Sequence, residues 1–94
     1  MKNEVVGYCG VDSGQLILCD PCYLLNTESQ DLETMYNNII EVTCKDKFAG
    51  QFGSPTHQHV GVAVSTGWGD GWYPVMVHRD SHGRIMRVAV EFDV

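Results

Sequence analysis

Alternating apolar and polar residues near the end of the chain predict a β-hairpin. Residues 72–79 and 84–92 alternate with the period of two that strands require. They flank a tetrapeptide that begins at Asp80 and ends at Gly83, which suits a type I turn with Gly83 in the left-handed conformation and pairs Asp80 with Arg84. Counting from this pair predicts one core face, made of Trp72, Pro74, Met76, Met86, Val88, Val90 and Phe92.

Other short apolar stretches predict four further strands. Residues 4–11 and 15–19 flank a turn-forming Asp-Ser-Gly sequence and therefore predict a first hairpin. Residues 41–44 and 60–65 indicate two more short strands. Pro74 has no N–H to donate, so its strand must lie at a sheet edge or carry a bulge at this residue.

A single helix is predicted in the middle of the chain. Its apolar residues recur at helical spacing, at Leu32, Met35, Tyr36, Ile39 and Ile40. Thr27 or Ser29 can cap the N-terminus of this helix. We therefore expect an α+β fold in one domain, residues 1–94, with a curved antiparallel sheet of about five or six strands and one helix, about residues 29–40, packed on one face.

Composition narrows the classes of partner. The 94 residues suffice for one core, and no second domain fits. Six basic and twelve acidic residues give a net charge of −6, which argues against generic nucleic-acid binding and against anionic membranes. Three arginines cluster on the predicted hairpin, namely Arg79, Arg84 and Arg87. They either bind a small anionic ligand or are solvated charges at the strand ends.

The chain shows neither an apolar run of about 20 residues nor a secretory signal. The expected location is therefore the cytoplasm. Reduced thiols are the rule in that compartment, so the four cysteines are expected to be free, buried as small apolar residues.

Two kinds of metal chemistry are open to the polar residues. Cys19 and Cys22 have chelating spacing, although no second close pair of cysteines is present. The residues that could complete a zinc site are Cys9, Cys44, His57 and His59. Three aspartates could instead serve a small metal-dependent hydrolase, namely Asp12, Asp20 and Asp70. An aspartate beside glycine or proline is also typical of an ordinary turn.

A glycine-rich loop at residues 67–71 favours recognition over catalysis. Its aromatic neighbours offer flat faces on which a planar group could stack, and Arg84 could pair with a phosphate. No nucleophile elbow, dinucleotide fingerprint or Walker loop occurs. The candidate ligand-binding residues are Asp20, Tyr23, Trp68, Asp70, Trp72, Tyr73 and Arg84.

Two segments carry a resemblance to a known family. Residues 11–23 read VDSGQLILCDPCY, and residues 61–75 read GVAVSTGWGDGWYPV. Together they resemble an uncharacterised family of small phage and bacterial proteins with a D-x-G…D-P-C-Y front segment and a G-[WY]-G-D-G-x-Y-P-V hairpin. The resemblance implies a phage or bacterial origin and transfers no catalytic residue. It also implies that both motif loops form one patch if they meet at one end of the sheet.

The sequence thus predicts a non-catalytic module that binds a small molecule or a protein. One form of this hypothesis is a phage protein that sequesters a nucleotide-derived host signal in the host cytoplasm. The expected partners are a small anionic or nucleotide-like ligand, or a host or phage protein, and unpaired strand edges leave a homodimer open. No cofactor is expected. The alternatives are the metal-dependent hydrolase and a structural zinc-binding domain.

Overall fold

The computed structural model describes residues 3–45 and 47–92, which form six strands and two helices. In chain order the elements are β1 Glu4–Val11, β2 Gln15–Cys19, α1 Cys22–Leu25, α2 Ser29–Thr43, β3 Ala49–Phe52, β4 Gly61–Ser65, β5 Gly71–Arg79 and β6 Ile85–Val90. The α+β class is confirmed. The single sheet of five or six strands is wrong, because the strands form two antiparallel sheets of three strands each.

The described residues fall into two compact units. The terminal unit takes residues 3–14 and 66–92 and contains β1, β5 and β6, whereas the inserted unit takes residues 15–65 and contains the other elements. The predicted first hairpin is therefore wrong, since β1 pairs with β5 and β2 pairs with β4. Alternation along a strand reports its two faces but not its partner, which can lie far away in the chain.

The sheet of the terminal unit has the order β1-β5-β6. The predicted turn between β5 and β6 is confirmed, because the Asp80 N–H donates to the Arg84 carbonyl at 2.9 Å and Gly83 has a φ of 82°. Asp80 Oδ1 accepts the backbone N–H groups of His82 and Arg84 at 2.8 and 2.9 Å. These hydrogen bonds explain why an aspartate begins this turn.

The core face of β5 is the opposite of the predicted one. Tyr73 and Val77 are buried, whereas Trp72 is 75% exposed. A β-bulge between His78 and Arg79 shifts the β5–β6 register by one residue. Beyond the bulge, the register pairs Val75 with Val90, Met76 with Ala89, and Val77 with Val88. Because a shift of one residue exchanges the faces of a strand, the bulge accounts for the reversal relative to β6.

Pro74 lies in the central strand of this sheet, and the predicted edge position is wrong. The described ladders place no bulge at Pro74, whose partner on β1 is Tyr8. On the other side, the Pro74 carbonyl accepts the N–H of Glu91 at 3.2 Å. Since Glu91 follows the last residue of β6, the missing proline N–H falls where that ladder ends and costs the sheet little.

In the inserted unit, α2 packs on a sheet of order β2-β4-β3. The core between them consists of Met35, Ile39, Phe52, Val60 and Ala63. The prediction that a helix packs on one face of a sheet is confirmed for this unit.

The helix α2 continues to Thr43, so the predicted strand at residues 41–44 is wrong. Thr43 is buried, donates its hydroxyl to the Ile39 carbonyl at 2.9 Å, and accepts the side-chain amide of Gln15 at 2.8 Å. Val42 and Thr43 are β-branched and locally favour a strand. Packing of the helical turn outweighs this preference, because Val42 lies against the backbone of Gly50.

The N-terminus of α2 also differs from the prediction. Glu28 occupies the N-cap position without a side-chain hydrogen bond, so neither Thr27 nor Ser29 caps the helix. Thr27 instead donates its hydroxyl to the Tyr23 carbonyl, one turn away in the short helix α1 that sequence patterns did not predict.

Candidate functional site

The glycine-rich loop of the terminal unit is closed by two side chains that bind one carbonyl group. The Thr66 hydroxyl lies 2.5 Å from the Gly69 carbonyl oxygen, and the Tyr73 hydroxyl donates to the same oxygen at 2.7 Å. The backbone of Thr66 also donates to Gly14 at 2.9 Å. Gly69 itself has a φ of 78°, which a residue with a β-carbon rarely adopts.

Tyr73 is therefore a structural anchor of the loop. Its ring is 4% exposed and contacts Phe92 edge to face, with the ring centroids 5.1 Å apart. Thr66 was missed by sequence reasoning, although its place directly before three alternating glycines was the available signal.

Trp72 forms one wall of a cleft at the end of the β1–β5 pair. Its six-membered ring lies over Gly10, at 3.7 to 3.9 Å from the position that a β-carbon would occupy. The cleft measures about 400 Å³ and is lined by Gly10, Val11, Asp12, Gly71 and Trp72. A flat aromatic face, backbone groups and one carboxylate are thus available to a ligand in this cleft.

Other exposed aromatic rings belong to the same unit. Trp68, in the loop, is 71% exposed, and Tyr8, on β1, is 66% exposed. Asp70 is also exposed in the loop. The terminal unit therefore presents three large aromatic side chains to solvent, and interaction surfaces are enriched in such residues.

Arg84 lies at the other end of β5 from this cleft. The nine residues of β5 span about 26 Å at the usual rise of about 3.3 Å per residue. The Arg84 guanidinium is bound to Asp80 at 3.0 Å, and Arg79 is bound to Glu4 at 3.0 Å. The hydrogen bond from the Arg84 backbone N–H, above all, lowers the pKa of Asp80. The structure does not bring Arg84 together with the glycine-rich loop.

Asp20 and Tyr23 belong to the inserted unit, so their meeting with the glycine-rich loop stays a prediction. Asp20 Oδ1 accepts the backbone N–H of Cys22 at 2.9 Å, which is the ordinary turn role of an aspartate before proline. The hydrogen bond from the Cys22 thiol to Asp20 raises the pKa of that thiol. Burial, followed by the charge of Asp20, raises the pKa of the Cys19 thiol.

Tyr23 lines a second cleft, which lies wholly within the inserted unit. The Tyr23 ring meets His57 edge to face, with the centroids 5.3 Å apart. The cleft has a volume of about 310 Å³ and is lined by Cys22, Tyr23, Asn26, Thr27, Glu28, Asp31, Ser54, Thr56 and His57. Its two carboxylates disfavour an anionic ligand.

The residues proposed for zinc do not form a ligand set in the part of the chain that the structure describes. No group of three or more His, Cys, Asp or Glu side chains there is arranged to hold a metal ion. His57 Nδ1 lies 3.0 Å from the Thr56 hydroxyl, and His59 is exposed.

All four cysteines are free, as expected, but they are not all buried. Cys9 and Cys19 are half-buried, whereas Cys22 and Cys44 are exposed. Of the three aspartates in the hydrolase alternative, Asp12 and Asp70 lie in the terminal unit, whereas Asp20 lies in the inserted unit. Their meeting at one site therefore stays a prediction.

Comparison with known proteins identifies a family. The family described as "Protein of unknown function (DUF4241)" matches residues 2–90. No curated protein and no solved structure matches the chain. Between residues 3 and 92, residue 46 excepted, no helix is long and apolar enough to cross a membrane. The expected resemblance to an uncharacterised family is confirmed at this level, while the phage or bacterial origin stays a prediction. Since the match extends over 89 of the 94 residues, the chain belongs to the DUF4241 family.

Proposed function

We propose that this protein is a non-catalytic binding module that holds a planar heteroaromatic group, such as a nucleobase, against the indole of Trp72. The observation that carries the proposal is that Trp72 is 75% exposed while its six-membered ring lies over Gly10 at the wall of a cleft. A ring that already lies against the backbone on one face keeps its other face free for a ligand, and fewer side-chain orientations are lost when the ligand stacks there.

The carboxylate of Asp12 supports an aminated base as the ligand. Asp12 lines the same cleft, and an ionised carboxylate accepts hydrogen bonds but donates none. Adenine, guanine and cytosine carry exocyclic amino groups, whereas uracil has none. The cleft is therefore expected to prefer the first three bases over uracil.

Charge favours recognition of the ring rather than of a phosphate. The net charge is −6, and none of the residues lining the Trp72 cleft is basic. Two of the three hairpin arginines are already bound to carboxylates. A neutral nucleoside is accordingly expected to bind at least as tightly as the corresponding nucleotide. Of the small anionic or nucleotide-like ligand predicted from the sequence, the proposal therefore keeps the base and gives the phosphate no role in binding.

The affinity of these contacts alone is modest. Stacking on an aromatic side chain contributes about 1–3 kcal/mol per base, and a hydrogen bond to a charged group adds about 1.5–3 kcal/mol. The total of about 2.5–6 kcal/mol corresponds to dissociation constants between about 15 mM and about 40 µM.

Tryptophan fluorescence tests the proposal directly, because the chain contains only two tryptophans. In W68F, Trp72 is the sole indole, and adenosine, guanosine and cytidine are expected to quench it saturably. W72F is the matched control and retains only Trp68. The proposal is refuted if no nucleoside quenches W68F up to about 10 mM, or if W68F and W72F are quenched alike.

D12N separates the hydrogen bond from the stacking. The amide has nearly the shape of the carboxylate but carries no charge, so D12N is expected to weaken binding of the aminated bases more than binding of uridine, whose base has only one donor, the N3–H between two carbonyl groups. Equal losses for uridine and adenosine would contradict the assigned role of Asp12.

The same mixtures distinguish binding from the two alternatives. A sequestering module returns its ligand unchanged, whereas the hydrolase that uses Asp12, Asp20 and Asp70 would convert the ligand when Mg²⁺ or Mn²⁺ is added. Chromatography of the incubated ligand reports the difference. Metal analysis of purified protein tests the zinc alternative, which requires about one zinc ion per chain.

A further inference from the structure

The strand β6 is an outer strand of the terminal sheet, and half of its backbone groups face away from β5. The Glu91 N–H donates to Pro74 of β5, so residues 87, 89 and 91 direct their N–H and C=O groups toward β5. Val88 and Val90 must therefore direct theirs toward the open side of the sheet. These are the groups that another strand would bind.

Among the outer strands of the described sheets, β6 is the least protected against pairing. β1 contains a bulge between Val5 and Gly7, and bulged edges are poor templates. β2 and β3 have only five and four residues. β6 has six residues, no proline, and exposed apolar side chains at Ile85, Met86 and Val88.

The sequence around β6 is complementary to itself when two copies run antiparallel. It reads Arg87-Val88-Ala89-Val90-Glu91, with one basic and one acidic residue equally spaced around Ala89. We propose that β6 pairs with β6 of a second copy of this chain, with Ala89 facing Ala89 across a two-fold axis. Each Arg87 then faces a Glu91, and each outward-facing Val88 forms a hydrogen-bonded pair with Val90.

Charge, backbone direction and the length of β6 together favour this register. Outward-facing groups must pair with outward-facing groups, so registers can differ only in steps of two residues. One step in one direction places Glu91 opposite Ile85 and Arg87 opposite Ala89, which removes both ion pairs. One step in the other direction places Glu91 opposite Ala89 and Arg87 opposite Asp93, so it requires pairing to extend three residues past Val90, the last residue of β6. Two steps in one direction place Arg87 opposite Arg87, which is repulsive. The resulting dimer contains one continuous sheet of six strands and goes beyond the proposed ligand site.

Sedimentation of charge variants tests both the dimer and its register. A small strand-to-strand interface associates weakly, so the protein is compared from about 5 µM to about 500 µM. R87E and E91R each place like charges opposite one another at both ends of the interface and are expected to weaken dimerisation about tenfold or more. The combined variant R87E/E91R exchanges the charges and is expected to restore dimerisation. K47E makes the same charge change as R87E at an exposed position of the inserted unit and serves as the control.

A proline substitution tests the use of the β6 edge independently. The Val88 N–H faces away from β5, so V88P removes no hydrogen bond from the β5–β6 ladder but blocks pairing with another strand. Folded V88P, verified by circular dichroism and tryptophan fluorescence, is expected to be monomeric. The proposal is overturned if the wild-type protein stays monomeric throughout the range. It is also overturned if folded V88P remains dimeric, or if R87E/E91R associates no better than R87E.

Discussion

Replacing Gly61 by alanine should strongly destabilise the inserted unit. A β-carbon at Gly61 would lie 2.3 Å from the Leu18 carbonyl oxygen and 2.8 Å from the β-carbon of Cys19. It would also lie 3.0 Å from a ring carbon of Phe52. Two of these atoms belong to the paired strand β2, and the third belongs to a ring that is 1% exposed, so none can move freely.

The size of the effect follows from this geometry. The gap of 2.3 Å falls about 1.1 Å short of the 3.4 Å at which ordinary contact begins. Overpacking of this kind costs about 1–3 kcal/mol, and the backbone shift weakens one or two ladder hydrogen bonds worth about 1 kcal/mol each. Alanine recovers about 0.4–1 kcal/mol by restricting the unfolded chain. The net loss is about 1–5 kcal/mol, which lowers Tm by about 4–8 °C for each kcal/mol.

Gly67→Ala is the matched control for this experiment. No atom lies within 4 Å of the position of its β-carbon, and its φ is outside the left-handed region. G67A is therefore expected to be neutral or up to about 1 kcal/mol more stable.

Each variant is measured with a signal from its own unit. Far-ultraviolet circular dichroism follows α2, which shares a unit with Gly61, and tryptophan fluorescence follows the terminal unit. The reasoning is refuted if G61A unfolds within about 0.5 kcal/mol of the wild type. A loss in G67A as large as that in G61A would refute it as well.

Three further predictions concern single side chains. Folding lowers the pKa of Asp80 from its usual 3.8, so the carboxylate stabilises the fold fully above pH 3.8, and this stabilisation is lost as pH falls through the pKa of the folded protein. Urea unfolding of D80N should lack this acid-dependent loss of stability. Identical pH profiles for D80N and the wild type would contradict the prediction. Tyr73→Phe removes the hydroxyl that binds Gly69 and should cost about 1 kcal/mol in fluorescence-monitored unfolding, whereas unchanged stability would mean that the bond contributes nothing. Asp20→Asn keeps an acceptor for the Cys22 N–H but removes the carboxylate that raises the pKa of the Cys22 thiol. Alkylation of Cys22, followed by mass spectrometry, should therefore be faster in this variant. An unchanged rate would mean that Asp20 does not raise the thiol pKa.

The most local features of the fold were predictable from the sequence. The turn that Asp80 begins depends on hydrogen bonds within five residues, and the left-handed Gly83 has a residue type that suits it. The existence of α2 likewise follows from the spacing of its apolar residues. The last turn of α2 was not predictable from local sequence, because the hydroxyl of Thr43 accepts a hydrogen bond from Gln15, 28 residues away.

The candidate site was predictable in its residue types but not in their orientation. The density of glycine and aromatic residues at 67–73 indicated an exposed loop correctly, and Trp68 is exposed. Which of Trp72 and Tyr73 faces solvent depended on pairing across the sheet. The bulge at Arg79 and the bond from Tyr73 to Gly69 decide that question, and neither leaves a distinct mark in the sequence.

The sequence by itself determined which segments alternate, where the chain turns, and that one long helix forms, because these properties arise from contacts between near neighbours in the chain. Only the tertiary structure decided that β1 pairs with β5, that β2 pairs with β4, and that two sheets form instead of one. Strand pairing is a competition among edges of similar local character, and its outcome depends on packing between residues that are distant in sequence.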